Sequence, residues 1–152
     1  MATYTFREVT DPDRSAYTNL LLAGDSDPAV LGEYQNTGAL FELVDDQCTV
    51  AVALMIPVDA NTIELKNIAV ISRYRSQGVG REMMTHLVQH YTDQYQRMIV
   101  GTADASVSNH LFYLKNGFRF YGVRRDFFNH YNPPLIENGV RLRDMVMFER
   151  FL

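Results

Sequence analysis

A glycine-containing loop that runs directly into a helix is the first feature of this sequence that could do chemistry. It reads Arg75-Ser76-Gln77-Gly78-Val79-Gly80 and follows an apolar, strand-like run. Glycines permit a positive φ and let a ligand approach the backbone without meeting a Cβ. The first turn of a helix presents unpaired N–H groups and a positive dipole end, which suits a phosphate. With Arg73 and Arg81 nearby, the loop predicts a diphosphate cradle; the alternative is a plain strand-to-helix turn in which the glycines serve packing.

Two common phosphate-binding motifs do not fit this loop. A Walker loop ends in Gly-Lys-Ser/Thr, and no lysine is present here. The dinucleotide fingerprint requires a third glycine, and the apolar Met83 occupies that position. The sequence therefore disfavours a nucleotide-hydrolysing or NAD-binding domain.

The loop is followed along the chain by a second motif. Arg75-x-x-Gly78-x-Gly80 comes after the strand Ile68-Ala69-Val70, and Tyr113 lies four residues before Gly117-Phe118. Together and in this order, the two motifs resemble those of the GNAT superfamily, the GCN-related N-acetyltransferases, and the likeness extends over the whole chain. Segments 127–131, 137–139 and 143–145 further resemble a bacterial subgroup of small members.

This resemblance implies a fold and an activity. The implied fold is a single α/β (α+β) N-acetyltransferase domain over residues 1–152, with a mixed, mostly antiparallel sheet of about seven strands and about four helices. The implied activity is direct transfer of an acetyl group from acetyl-CoA, as co-substrate and without a metal, to a primary amine in a ternary complex. The acceptor is then a small-molecule amine or a peptide amine. The alternative is an acyl-CoA-binding sensor or regulatory module without turnover, which the candidate catalytic residues below disfavour.

Two side chains match catalytic positions of the superfamily. An alkylamine with a pKa near ~10.4 must lose a proton before it attacks, which makes a general base useful. The resemblance assigns this role to Glu64, directly or through water; the alternative is a surface glutamate paired with Lys66, two residues away on the same face. It assigns to Tyr113 the role of the general acid that protonates the departing CoA thiolate; the alternative is a tyrosine packed on its helix with an exposed hydroxyl.

The strand that carries Glu64 and the helix that carries Tyr113 supply further candidates. A backbone N–H within residues 68–70 matches the donor to the oxyanion of the tetrahedral intermediate. Asn67 interrupts the apolar strand, either facing the acceptor or satisfying the backbone at a bulge. Many family members carry Asn seven residues before the tyrosine, but here that position is Ser106, with Ser108 or Asn109 as substitutes. The predicted co-substrate contacts are Ile68, Ala69, Val70, Arg75, Ser76, Gln77, Gly78, Val79, Gly80, Arg81, Ser106 and Asn109.

A long connection precedes the last predicted strand. Residues 126–139 are too many for a tight hairpin, and connections of this length are often functional. By resemblance this loop and the first two helices lie beside the acceptor, so Asp126 and Tyr131 are predicted to bind it. Aromatic side chains with a carboxylate suit a cationic or amphipathic amine. The alternative is that the aromatics pack into the core or onto a second subunit, which keeps a homodimer open.

These groups must be positioned by a predictable set of elements. Strands are expected at residues 3–9, 39–44, 48–56, 62–70, 96–101, 118–125 and 140–151. Helices are expected at residues 11–23, from 27 to near 38, from 79 and at 107–116, in the order β-α-α-β-β-β-α-β-α-β-β. The third helix shows an apolar stripe of Val79, Met83, Leu87 and Tyr91.

His86, His90 and Cys48 could be mistaken for metal ligands or a nucleophile. The histidines share a helix face, but the glutamate of a His-Glu-x-x-His motif is missing, so they are expected to face solvent. The single Cys48 lies in an apolar strand and is expected in the core.

Composition narrows the class of protein further. The chain has 152 residues, 47% of them hydrophobic, and a net charge of −4, which argues against nucleic acid as the partner. Residues 1–70 carry eleven acidic against three basic side chains, so opposite charges gather in the two halves. No apolar run is long enough to span a membrane and no signal peptide is evident, so we expect a cytoplasmic protein.

Overall fold

A computed structural model describes residues 4–152, which form a mixed seven-stranded sheet with helices on both faces. The sheet strands are β1 (Thr5–Glu8), β2 (Ala39–Asp45), β3 (Cys48–Pro57), β4 (Thr62–Val70), β5 (Arg97–Ala103), β6 (Arg119–Arg124) and β9 (Met145–Phe151). A small hairpin adds β7 (Ile136–Glu137) and β8 (Val140–Arg141). The helices are α1 (Thr18–Gly24), α2 (Pro28–Tyr34), α3 (Val79–Tyr91) and α4 (Val107–Lys115). The predicted fold class is confirmed.

The strand order across the sheet is β1-β2-β3-β4-β5-β9-β6. Within it only β4 and β5 are parallel, and they pair over four positions, from Thr62 opposite Arg97 to Leu65 opposite Val100. Beyond this point the two strands diverge. The sheet therefore opens in its middle, between two halves that are otherwise antiparallel.

Several elements follow directly from local chemistry. The Asp27 carboxylate accepts hydrogen bonds from the N–H groups of Ala29 and Val30 and so caps α2. Asp46 and Gln47 both have positive φ, which makes the tight turn between β2 and β3. The apolar stripe predicted on α3 is buried as expected.

Two hydrophobic cores lie on opposite faces of the sheet. On one face, Ile63 and Leu65 of β4 pack with the buried stripe of α3 and with Tyr113 of α4. On the other, Ala69 of β4 packs with Leu21 of α1 and Leu31 of α2. The side of β4 that carries odd-numbered residues changes between Leu65 and Ala69 because a β-bulge places Lys66 opposite no β3 residue.

The first helix begins later than predicted. Asp11 and Asp13 accept hydrogen bonds from the backbone N–H groups of Asp13 and Ser15, and these local turns compete with a helix. A 3₁₀ turn at Ser15–Tyr17 then leads into α1. Thr3, the predicted start of the first strand, lies outside the described residues.

The predicted last strand is interrupted. The backbone N–H groups of Arg143 and Asp144 donate to the carboxylate of Asp104 instead of a neighbouring strand. This divides residues 140–151 into β8 and β9. Each helix in the described part of the chain is too short or too polar to cross a lipid bilayer.

The structure places His86 and Cys48 differently from expectation, since His86 is half-buried and Cys48 is exposed, whereas His90 is exposed as expected. The ring of His86 stacks on Phe6 at a centroid distance of 4.8 Å, and His90 contacts Phe41 edge-on at 4.9 Å, because α3 packs across β1 and β2. Cys48 is exposed, because it begins β3 directly after the tight turn and not within the buried run.

Candidate active site

A cleft of about 660 Å³ occupies the place where β4 and β5 part. Its walls come from β4, β5, the loop before α3 and one side of α4. Side chains or backbone of 22 residues line it. Among them are the predicted site residues Asn67, Ile68, Ala69, Val70, Arg75, Ser76, Gly78, Val79, Gly80, Arg81, Asn109 and Tyr113. The predicted contacts Gln77 and Ser106 are outside this lining.

The N-terminus of α3 closes one end of the cleft. Gly78 has a φ of +82° and supplies no side chain to cap the helix, so the first N–H groups of α3 are available to a ligand. A Cβ built on Gly78 would meet no heavy atom within 4 Å, which shows that open space lies beside this backbone. An anionic group can therefore reach the helix end directly.

Glycine is required at positions 78 and 80 for different physical reasons. A Cβ on Gly80 would lie 3.2 Å from the Phe112 ring, and Gly80 has no positive φ. Gly80 thus lets α4 approach α3, as the packing alternative expected, and its backbone also lines the cleft. Ser76, with a φ of +61°, joins Gly78 in the left-handed region.

The cationic side chains of the loop are arranged unevenly. The Arg75 Nε donates to the Val70 carbonyl at 3.0 Å, so this guanidinium folds against the end of β4 within the cleft. The Gln77 amide instead donates to the Arg73 carbonyl, which turns the side chain away from the cleft. Arg81 is exposed at the cleft rim.

Tyr113 lines the cleft from α4. Its ring packs on Phe118 and Phe148 at centroid distances of 5.8 and 5.5 Å, and the residue is 5% exposed. Burial raises the pKa of the Tyr113 phenol, because the charged phenolate would lose its water. The phenol therefore stays protonated throughout the neutral range.

The start of α4 distinguishes among the three polar candidates. Ser108 and Asn109 line the cleft, and the Asn109 amide donates to Thr102 at 3.2 Å. Ser106 is buried at the N-cap position, where its backbone accepts from the N–H groups of Asn109 and His110. Ser108 and Asn109 thus occupy the space expected of Ser106.

Glu64 lies on the sheet face that carries α1 and α2, since its neighbours Ile63 and Leu65 point to the other core. Its side chain is 14% exposed. The Arg124 guanidinium of β6 approaches it, with Nη2 to Oε2 at 3.9 Å. Lys66, the partner that the sequence suggested as an alternative, instead places its ammonium 5.3 Å from the centroid of the Tyr34 ring.

Asn67 connects β4 to the first two helices. Its side-chain N–H groups donate to the Leu21 carbonyl at 2.9 Å and to the Tyr34 hydroxyl at 3.0 Å. The Tyr34 hydroxyl in turn donates to the Asp25 carboxylate at 3.0 Å. Burial is the main cause that raises the pKa of Tyr34. Asn67 follows the bulged Lys66, as one of the two sequence interpretations expected.

The long loop brings Tyr131 close to the acidic start of α2. Burial, followed by the charges of Asp25, Asp27 and Glu33, raises the pKa of Tyr131 to about 12. The Asp126 carboxylate accepts from the Asn129 side chain at 2.9 Å and is exposed. Tyr131 therefore borders the acidic helices, whereas Asp126 stabilises its own loop.

Sequence reasoning missed Tyr34 and Arg124. Tyr34 reads as a core aromatic near a helix end, and no local pattern indicates its hydroxyl contacts. Arg124 is one of two adjacent arginines after an apolar strand, and it meets Glu64 from sixty positions away. Within residues 4–152 no cluster of histidine, cysteine or carboxylate side chains could hold a metal ion.

Comparison with known proteins accounts for this arrangement. The sequence profile of the acetyltransferase (GNAT) family matches residues 6–118. A GNAT family acetyltransferase from Elizabethkingia anophelis, solved with acetyl-CoA bound, is 28% identical, with a TM-score of 0.91 and 98% of each chain covered. An IAA acetyltransferase from Bacillus cereus ATCC 14579 is 26% identical, with a TM-score of 0.89, over 99% of this chain and 100% of that one.

A curated relative adds to this evidence. The uncharacterized N-acetyltransferase YvbK of Bacillus subtilis (strain 168) is 28% identical over 130 residues, which is 84% of each chain. Since the family profile alone spans well over half of the sequence, and the fold and cleft agree with it, this chain belongs to the GNAT family of acetyltransferases.

Proposed function

We propose that residues 1–152 act as one domain that transfers an acetyl group from acetyl-CoA directly to a primary amine in a ternary complex. The observation that carries this proposal is the cleft between β4 and β5, which ends on the open N-terminus of α3 and contains Tyr113. The acetyl-CoA bound to the Elizabethkingia anophelis relative supports the choice of co-substrate.

The diphosphate of the co-substrate fits the loop before α3. The N–H groups of Val79, Gly80 and Arg81 point out of the helix end, and the open side of Gly78 leaves room for the phosphate oxygens. Arg75 and Arg81 supply positive charge beside them. Ser76 and Gln77 contribute through the backbone of the same loop, with Ser108 and Asn109 along the thioester arm.

The reacting carbonyl fits the diverging part of β4. Past Leu65 this strand has lost its β5 partner, which frees backbone groups of residues 66–70 on the cleft side. A backbone N–H there donates to the oxyanion that forms when the amine attacks. This donor is placed before the reaction begins, so no reorganisation is needed at that moment.

Two side chains then move the protons. Glu64, directly or through a water, takes a proton from the acceptor ammonium, so that the neutral nitrogen attacks the thioester carbon. As the C–N bond forms and the C–S bond breaks, Tyr113 gives its phenolic proton to the thiolate. Glu64 releases its first proton to bulk water and then takes the extra proton from the nitrogen of the tetrahedral intermediate, so that the neutral amide forms. This second proton passes through water to the phenolate of Tyr113, and each turnover releases one proton in all.

The acceptor enters from the face that carries α1 and α2. Tyr131 forms the outer wall of this entrance, opposite the start of α2, and Asp126 supports the loop that holds it. Asn67 braces the inner wall through Leu21 and Tyr34. In this proposal Asn67 and Asp126 shape the acceptor pocket and do not touch the amine.

Acetyl-CoA binding and turnover on a panel of amines test the proposal together. Acetyl-CoA is expected to raise the midpoint of thermal unfolding, whereas ATP at the same concentration leaves it unchanged. Release of free thiol from acetyl-CoA should then depend on an added amine. A stabilised protein that releases no thiol with any amine would instead be an acyl-CoA sensor.

Replacing Glu64 with glutamine should lower turnover most near neutral pH and least at high pH. The reason is that an alkylamine with a pKa near ~10.4 becomes neutral without help as the pH approaches that value. The measurement is the pH profile of kcat/KM for thiol release, compared with that of the unchanged protein.

Glu149→Gln is the matched control for this variant. Glu149 lies on the same sheet face, is 16% exposed and pairs with Arg97 at 2.8 Å. Its loss is expected to leave the pH profile unchanged. An equal loss of turnover for Glu64→Gln at every pH would assign Glu64 to positioning and the base role to another group.

A further inference from the structure

We infer that the acceptor is an α-amino acid and that Arg124 selects it by binding its carboxylate. This inference rests on the proposed function and assigns the substrate class of the same site. It goes further in giving Arg124, a residue outside both sequence motifs, a direct contact with the acceptor.

The position of Arg124 is the first step. The strand order β4-β5-β9-β6 places two strands between Glu64 and Arg124. The arginine side chain therefore crosses the sheet face to bring Nη2 within 3.9 Å of the Glu64 carboxylate. The guanidinium therefore lies beside the carboxylate that the proposed function makes the general base.

The state of this ion pair is the second step. A distance of 3.9 Å is at the outer limit of ion pairing and too long for a hydrogen bond. Among the described residues, no other carboxylate lies within ion-pairing distance of Arg124. The side chain is 46% exposed, so most of its N–H donors remain open to a ligand.

The charges around Glu64 indicate which charges the ligand carries. Arg124 is the one cationic partner of Glu64 among the ion pairs of the described residues, whereas the Lys66 ammonium lies over the Tyr34 ring. The carboxylates of Asp25 and Asp27 keep their negative charge but are held by Tyr34 and by the start of α2, and neither pairs with Arg124. A simple cationic amine that binds Glu64 would displace Arg124 and leave its guanidinium without a partner, whereas a ligand that also carries a carboxylate would supply that partner.

An α-amino acid complements the pair at both ends. Its ammonium and carboxylate are attached to one carbon, so they lie about as close together as the charged atoms of Arg124 and Glu64. When the acceptor binds, its ammonium replaces Arg124 in front of Glu64 and its carboxylate replaces Glu64 in front of Arg124. The charges of Glu64 and Arg124 each keep an opposite partner, and the arginine fork matches a carboxylate in two parallel hydrogen bonds.

A comparison of matched acceptors tests this inference. Thiol release from acetyl-CoA is measured with L-amino acids of each side-chain class, with their carboxamides and with their decarboxylated amines. At least one amino acid should exceed its own carboxamide in kcat/KM by about 10–100-fold, the effect expected of losing a charge-assisted pair. For that amino acid, Arg124→Met should lower kcat/KM by a similar factor through KM.

Three comparisons separate this role from a structural one. Arg124→Met should leave kcat/KM for the carboxamide within about threefold, and Arg124→Lys should restore part of the loss, since lysine keeps the charge without the fork. Arg119→Met, on the same strand and outside the ion pairs described, should leave kcat/KM unchanged for both the amino acid and its carboxamide. The acetyl-CoA thermal shift should be the same in all of these variants.

Two results would overturn the inference in distinguishable ways. Carboxamides or plain amines that match or exceed every amino acid, or an equal loss on both acceptors in Arg124→Met, would refute the amino-acid assignment and leave the acetyltransferase intact. Absence of thiol release with every amine would overturn the proposed function and this inference with it.

Discussion

Replacing Tyr113 with phenylalanine is expected to lower the rate of acetyl transfer by about 10²–10⁴-fold, the usual contribution of a positioned general acid. The substitution keeps the ring that packs on Phe118 and Phe148 and removes only the hydroxyl that lines the cleft. The affinity for acetyl-CoA should change little, because the cradle at α3 is untouched. Pre-steady-state thiol release at saturating acetyl-CoA measures the affected step.

Tyr91→Phe is the matched control for this variant. Tyr91 and Tyr113 are both 5% exposed, and burial raises the pKa of each phenol, but Tyr91 lies on α3 away from the cleft lining. Loss of its hydroxyl should leave the rate unchanged. Equal rates for Tyr113→Phe and the unchanged protein would reduce Tyr113 to a packing residue.

The pH dependence adds a second measurement on Tyr113. A raised pKa keeps the acid form present at a higher pH than the ordinary tyrosine value of about 10. The activity that depends on this proton should therefore persist through that value and fall only at a higher pH. A decline of kcat that begins near neutral pH and is unchanged in Tyr113→Phe would assign the titrating acid to another group.

Replacing Gly78 with valine should abolish the stabilisation of the fold by acetyl-CoA. For the unchanged protein that stabilisation is about 2.7 kcal/mol at a ligand concentration one hundred times the Kd. In the variant, a branched side chain fills the open space beside the α3 N-terminus and blocks the phosphate. Thermal unfolding with and without acetyl-CoA gives the difference directly.

The backbone strain of this variant needs its own control. Gly78 has a φ of +82°, where a side chain costs about 1–2 kcal/mol even in open space. Gly139 has a φ of +74°, has no heavy atom within 4 Å of a built Cβ and lies in the β7–β8 turn. Gly139→Val should lower the unfolding midpoint by a comparable amount yet keep the full acetyl-CoA shift. A full shift in Gly78→Val as well would refute the cradle.

Elements with local causes could be predicted from the sequence. The stripe on α3, the Asp27 cap and the turn at Asp46 and Gln47 each depend on residues within one or two turns of the chain. The two motifs around Gly78 and Tyr113 were found for the same reason. Their residues are close in sequence, so each motif can be recognised from a short stretch of the chain.

Cys48 and Gly80 show where local patterns mislead. Cys48 belongs to an apolar run by sequence, but its place at the first position of β3 leaves it exposed. Gly80 looks like a ligand-facing glycine, but its lack of a side chain admits Phe112 of α4. For Gly80 the deciding neighbour is brought by another element, which no spacing within the segment reports.

The tertiary structure alone decided what surrounds the reacting groups. The cleft exists because β4 and β5 pair at only four positions, and pairing between strands about thirty residues apart depends on the twist and packing of the whole sheet. Likewise Arg124, not the nearby Lys66, reaches Glu64, since a bulge turns Lys66 toward Tyr34 and the strand order brings β6 across the face. Contacts between such distant residues arise only when the chain is folded, so the sequence by itself determined the motifs and the structure determined their partners.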